Sequence, residues 1–283
     1  MGNYVARKEI GDYRITIYYD DSPSNPMKDW DLVGCYLFEY DRLHRLSDLC
    51  NWEEVWGKHS DCNHSMEETL RAMVKEYCDF DLFVRYIKSQ EVENVRLCYD
   101  RSIRLWKLEV YGYLAFSKEW DLVDEYEPKD LSTKDMYLFS NLLEYFGKDT
   151  LLELLQHCGK NIYVTEWSTI GYSQGDYVNG IAFVTKERYK EQCGRTDIPW
   201  EKGAQHCIDE EVKCIGKWMW GDVLGFCLEK KVHFTKMYHD CDRPDEEDYE
   251  WEEVDSCWGF YMDSDELIAE VMKEHDIKED IAT

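Results

Sequence analysis

Histidine, cysteine and carboxylate side chains hold metals and move protons, and their spacing in this chain tests for both uses. His59, Cys62 and His64 fall together, with Cys50 upstream. The order His-x2-Cys-x-His matches no structural zinc pattern, and a fourth ligand would have to come from a distant segment. His233, His239 and Cys241 form a second group beside an acidic run, in which ten of the sixteen residues 240–255 are Asp or Glu. Within that run Asp245-Glu246-Glu247-Asp248 has neither the glycine nor the alternating ligand order of an EF-hand loop. No metal and no cofactor is therefore expected. For phosphate, dinucleotide or zinc-protease chemistry the chain offers no GxxxxGK[ST], no GxGxxG after a strand and no HExxH. Sixty Asp and Glu residues supply many accidental carboxylate pairs, so no single pair points to glycosidase or nuclease work. The chain reads as a protein without a catalytic constellation. A metal-assisted hydrolase acting on a nucleotide signal through clustered Asp and Glu stays open as the alternative.

The acidic run suits a protein surface better. Asp245, Glu246, Glu247, Asp248, Glu250, Glu252 and Glu253 are expected to supply electrostatic attraction, with Tyr249 and Trp251 as anchors. Aromatic residues set among charges are poorly explained as solvated side chains and are the favoured anchors of interfaces. The whole chain leans the same way, since 33 Lys and Arg against 60 Asp and Glu leave a formal charge of -27. Such a field repels DNA, RNA and anionic lipid and favours basic protein surfaces, so direct nucleic-acid and membrane partners are not expected. Solubility is the plainer use of the charge, and an acidic structural or regulatory protein is the reading that goes with it.

Twelve cysteines without a CxxC pair, several inside apolar stretches such as Leu224-Gly225-Phe226-Cys227-Leu228, read as reduced thiols packed as small hydrophobes. Met1-Gly2-Asn3-Tyr4 begins no signal peptide, and no apolar run approaches membrane-spanning length. The expected compartment is the cytoplasm.

At 283 residues, 44% hydrophobic and 15% aromatic, the chain has the composition of a folded protein with a full core. Its elements indicate an α+β fold, with mixed or antiparallel sheets and packed helices in two lobes. The boundaries fall at residues 1–130 for the first lobe, 131–160 for a helical connection, and 161–283 for a second lobe with an acidic loop at 240–255. Residues 13–19 alternate β-branched and aromatic side chains and predict a strand. Two prolines break it, and a second strand follows over residues 35–40. Ser65-Met66-Glu67-Glu68 fits a capping box, opening a helix with Leu70, Met73, Val74, Tyr77 and Cys78 inward that runs, with interruption, to about Ser89. Strands are expected over residues 95–99 and 105–116, and helices over 132–146, 149–158, from Thr185, and from Pro199 to about Trp218.

Gly112-Tyr113-Leu114-Ala115-Phe116-Ser117-Lys118-Glu119 aligns without a gap to Gly180-Ile181-Ala182-Phe183-Val184-Thr185-Lys186-Glu187. Both predict a buried strand handing over to a hydroxyl-capped helix. Residues 221–228 and 232–235 read as adjacent strands joined through Glu229-Lys230-Lys231, Cys257-Trp258-Gly259-Phe260-Tyr261 as a buried strand, and residues from Ser264 as a final helix.

Three patches together resemble a widespread family of phage and prophage proteins. They are residues 13–34 (YRITIYYDDSPSNPMKDWDLVG), residues 174–187 (QGDYVNGIAFVTKE), and Gly221-Asp222-Val223-Leu224-Gly225-Phe226 with Asp255-Ser256-Cys257-Trp258-Gly259-Phe260-Tyr261. The family carries a YYD-x-x-P-x-x-P-x-x-WDNLG opening, a W/Q-x-G-x-V-x-G strand, and late GDVYGF and DSCWGFYG motifs. This chain departs from it at Met27-Lys28-Asp29, where Arg usually precedes Trp, and at Asp31-Leu32-Val33-Gly34 in place of Asp-Asn-Leu-Gly. Residues 67–155 match none of its motifs. Some phage proteins of this size and distribution are similar to Gabija anti-defence proteins, which bind and enclose a nuclease-helicase defence complex and form oligomers. The resemblance implies a phage-encoded, non-enzymatic inhibitor that blocks a nucleic-acid-recognising host defence complex. It further implies homo-oligomers in the host cytoplasm, and its motifs carry over no catalytic residue.

Overall fold

The computed structural model describes residues 4–41, 55, 65–79, 82–83, 85–86, 95–100, 105–114, 119–126, 143, 146–170, 177–194, 197–237 and 246–278, with backbone alone for 39–41 and for the strands between 95 and 126. The fold is α+β with antiparallel sheets, as the pattern of elements indicates. It divides into two compact units, Met1–Trp30 with Lys213–Thr283, and Asp31–Val212. This division differs from lobes at 1–130 and 161–283, because the first strands of the chain pair with the last.

In the first unit, strands β1 (Tyr4–Ile10) and β2 (Tyr13–Tyr19) form a hairpin through Gly11 and Asp12. Gly11 takes φ +55, which two-residue hairpin turns require and an L side chain resists. β2 then pairs along β9 (Leu224–Lys236), and β9 along β10 (Glu246–Phe260), giving the order β1-β2-β9-β10. Ile15 and Ile17 of β2 meet Phe226 and Leu228 of β9 on one face, where the amphipathic helix α6 (Ser264–Glu274) lays Leu267, Ile268 and Val271 over them. Full burial of each such side chain is worth about 1.5–3 kcal/mol.

Three sequence expectations fail on β9 and β10. Glu229-Lys230-Lys231 is no turn but the middle of one thirteen-residue strand. Lys231 and Lys230 lie opposite Trp251 and Glu252, so the charged triplet is held extended by β10. The acidic run from Glu246 onward is likewise strand rather than loop. The segment around Trp258 is also not buried: as part of an edge strand, Trp258 is 48% exposed, and only Phe260 turns onto the core beside Phe226 at 5.7 Å.

Among the described residues the second unit holds two three-stranded sheets. One has the order β3-β8-β7, from β3 (Cys35–Asp41), β8 (Tyr177–Thr185) and β7 (Ile162–Ile170); the other is the meander β4 (Val95–Asp100), β5 (Leu105–Leu114) and β6 (Glu119–Tyr126). Leu37, Ile181, Phe183 and Val164 pack against Leu70, Met73 and Val74 of helix α2 (Met66–Tyr77) and Leu151, Leu154 and Leu155 of α3 (Lys148–Cys158). The capping box of α2 forms as expected, the Glu68 N–H donating to Ser65 Oγ and the Ser65 N–H to Glu68 Oε2. α2 stops at Tyr77 because Cys78 is drawn into a bridge with Gly159, and helical backbone returns at Leu82, Phe83, Arg85 and Tyr86. Gly180 is required by packing, since a Cβ there would stand 1.9 Å from the Leu37 carbonyl oxygen.

The two aligned octapeptides part company at their ends. Thr185 caps helix α4 (Lys186–Gln192), its Oγ1 accepting the Arg188 N–H at 3.2 Å. Glu119 instead opens strand β6. The residues beyond the shared pattern decide the outcome. Glu119-Trp120-Asp121-Leu122-Val123 alternates with period two, whereas Glu187-Arg188-Tyr189-Lys190-Glu191 is made of residues that tolerate a helix. Helix α5 (Trp200–Trp220) runs two residues past its expected end, and the helix expected over 132–146 lies largely outside the described residues.

Candidate functional site

β2 accompanies β9 only as far as the pair Tyr13 and Lys230, whereas β9 and β10 stay paired out to Lys236 and Glu246. Residues 231–236 and 246–251 therefore form a two-stranded ribbon reaching past the edge of the sheet, tied at its base by the Lys231 N–H donating to the Asp12 carbonyl at 2.7 Å. Eight of the nine candidate residues lie on β10, six of them in the ribbon; Asp245 is outside the described residues.

Alternation along β10 sorts those side chains onto two faces. Glu246, Asp248, Glu250 and Glu252 share one, opposite Lys236, Phe234, Val232 and Lys230 of β9. Glu247, Tyr249, Trp251 and Glu253 share the other, opposite Thr235, His233, Lys231 and Glu229. The carboxylates are thus spread along a strand rather than gathered on a cavity. β10 carries seven acids, and β9 answers with three lysines and adds Glu229, so the ribbon keeps a net negative charge. The Lys236 ammonium and the Tyr249 N–H hold the Asp248 carboxyl below its usual range.

The two aromatics are unequal. Trp251 lies half-buried beneath Arg14, whose guanidinium carbon is 4.5 Å from the ring centroid while its nitrogens clasp Glu229 in two 2.5 Å hydrogen bonds. Trp251 therefore secures the ribbon to β2. Tyr249 stands edge-on to Trp251 at 6.2 Å, has the Lys231 ammonium 4.1 Å from its centroid, and remains 47% exposed. Further along β10, Trp258 lies across Gly225, where a Cβ would come within 2.1 Å of the indole.

The motif patches mark structural joints. Asn25 caps the short helix α1 (Pro26–Asp29) by accepting the Met27 N–H, and Asp29 accepts the Asn25 N–H in return. Tyr261 donates to the Ser24 carbonyl and packs edge-on against Trp30 at 4.7 Å, so the first and third patches meet. In the second unit Glu211 accepts the Val33 N–H at 2.7 Å, the Gly34 N–H at 2.9 Å and the Tyr36 hydroxyl at 2.7 Å. Arg188 donates to the Leu32 and Val33 carbonyls, both at 2.9 Å. Burial first, and the Glu211 carboxylate second, drive the Tyr36 hydroxyl far above the ordinary tyrosine range. Neither Glu211 nor Arg188 stood out in the sequence, because each reaches its loop over more than 150 positions.

A cavity of about 520 Å³ in the second unit is lined by Gln156, Asn161, Tyr163, Lys186, Trp200 and Glu201 among others. It brings in one carboxylate and one ammonium, which is not the acidic cluster that a metal-assisted hydrolase needs. Among the described residues no three His, Cys, Asp or Glu are grouped to hold a metal ion. His59, Cys62, His64, Cys50, His239 and Cys241 lie outside those residues, and His233 has its ring beside Tyr249 at 6.0 Å. Gly171-Tyr172-Ser173-Gln174-Gly175 has the GxSxG form of a nucleophile elbow. The elbow needs a strand followed by a helix. Here the flanking strands β7 and β8 are antiparallel neighbours, closing with Ile170 opposite Tyr177, and the pentapeptide itself is outside the described residues. No helix among the described residues is long and apolar enough to cross a membrane. Comparison of the chain with protein-family models, with curated proteins and with solved structures found no match.

Proposed function

We propose that the protein is a phage-encoded, non-enzymatic inhibitor that binds a nucleic-acid-recognising host defence complex through the acidic ribbon and blocks it. One observation carries the reading: the described part of the densest run of acids in the chain, from Glu246 onward, lies on β10, whose ribbon with β9 projects past β2. A surface built to hold DNA is basic, and a net charge of -27 accelerates encounter with such a surface and opposes binding to nucleic acid itself. Tyr249 is the anchor available to a partner, since Trp251 is already engaged by Arg14. Homo-oligomers, as in the resembling proteins, belong to the same proposal.

The test is capture of a nuclease-helicase defence complex from bacterial cells by the tagged protein. Wild-type protein is expected to retain the complex at about 50 mM salt and release most of it by about 300 mM, as screening of charged surfaces requires. The combined variant Glu246→Lys, Glu247→Lys, Glu250→Lys, Glu252→Lys is expected to lose capture at least tenfold. Equal capture by that variant, with the same salt dependence, overturns the assignment.

A further inference from the structure

We propose that the outer edge of β10, over residues 246–253, takes up an extended basic segment of the partner as a fifth strand of the sheet. This rests on the proposed function and specifies how the partner is held. In the order β1-β2-β9-β10, β10 has a strand neighbour on one side only among the described residues. Edge strands expose a row of backbone donors and acceptors that template another chain, and proteins commonly keep them short or bend them. β10 is fifteen residues long, against a usual length of about five or six, and its register is unbroken from Glu246 to Glu253 before irregularities around Val254 and Gly259. Those irregularities confine a regular incoming strand to the acidic half.

Among the described residues the ribbon also has no third strand. Beyond Lys230, β9 and β10 have only each other among the described residues, and an isolated pair of strands is marginal in water. A further strand on β10 would supply main-chain hydrogen bonds that tolerate many sequences, while side chains set the choice of partner. Charge fixes that choice. An added strand would set its side chains about 5 Å from their cross-strand neighbours. On one face those neighbours are Glu246, Asp248, Glu250 and Glu252, and on the other Glu247 and Glu253 flank the aromatics. Lysine or arginine at either face meets a carboxylate. A second copy of β10 would set acid against acid, so the edge resists pairing with itself while accepting a basic segment.

The probe is an octapeptide of alternating lysine and threonine with blocked ends, compared with the same octapeptide N-methylated at every residue. Methylation keeps charge and side chains and removes the backbone donors. Titration is followed by tryptophan fluorescence and by amide hydrogen exchange at about 50 mM salt, where screening is weak. The expected result is saturable binding, protection of amides in residues 246–253, and at least tenfold weaker binding after methylation. Binding within twofold for both peptides overturns strand addition and leaves the acidic-surface reading standing. Failure of both peptides to bind at about 1 mM, the weak end of specific affinity, overturns both readings. Protection at residues 4–10 instead places the peptide on the opposite edge and overturns the assignment. Protection of 246–253 that rises with protein concentration, without peptide, makes a second copy the occupant and overturns it equally.

Discussion

Arg14 ties three elements through one side chain, clasping Glu229 of β9 and covering Trp251 of β10 from its place on β2. Cross-strand and cation-π contacts of this kind are worth about 1–2 kcal/mol together when partly desolvated. Trp251→Ala is therefore expected to lower stability by about that amount in urea unfolding and to speed amide exchange in residues 246–251. Tyr249→Ala, removing a more exposed ring, is expected to cost less stability and more partner capture. Gly225→Ala is expected to lift Trp258 off the sheet, changing tryptophan fluorescence and costing about 1–3 kcal/mol, since the added methyl overlaps the indole. Tyr249 and Trp251 stood out in the sequence as aromatics among acids. Their different duties were not legible there, because the residue that separates them, Arg14, lies more than two hundred positions away.

Helix α2 and strands β2 and β8 were readable because their signals are local: a capping box, alternation, a hydroxyl before a helix. The triplet Glu229-Lys230-Lys231 in the middle of β9 and the charged part of β10 were not, because pairing along the ladder overrides the low β propensity of Glu and Lys. The same non-local logic applies to the loop at residues 31–34. Glu211→Ala strips three donors of one acceptor and is expected to cost about 2–4 kcal/mol, with Glu211→Gln recovering part of it, as read from thermal unfolding. Alkali weakens the elements joined at Cys78. Burial lifts that thiol from 9.0 to about 12, and burial followed by the Glu253 and Glu229 carboxylates lifts Cys227 to about 11. The folded chain then keeps protons that the unfolded chain has released, so this contribution to stability is full below about pH 9 and falls as pH rises through about 11. Urea midpoints measured between about pH 7.5 and 10.5 should decline, and the decline should be shallower in Cys78→Ala.

For the molecule as a whole, the division into units was hidden in the sequence by its discontinuity. One unit is assembled from Met1–Trp30 and Lys213–Thr283, with Asp31–Val212 inserted between them. Cutting the chain before residue 213 is therefore expected to abolish the four-stranded sheet altogether, because β1 and β2 lose the strands they pair with. Far-ultraviolet circular dichroism and protease resistance of residues 4–30 in such a fragment check this. The insertion also sets a timetable for biosynthesis. Ile17 waits for Phe226, so more than two hundred residues must leave the ribosome before β2 finds its second neighbour. Throughout that interval the nascent hairpin offers Ile15 and Ile17 to the cell without a cover. A slow pause late in translation, or a shortage of chaperones, would then reduce yield through this unit sooner than through the inserted one.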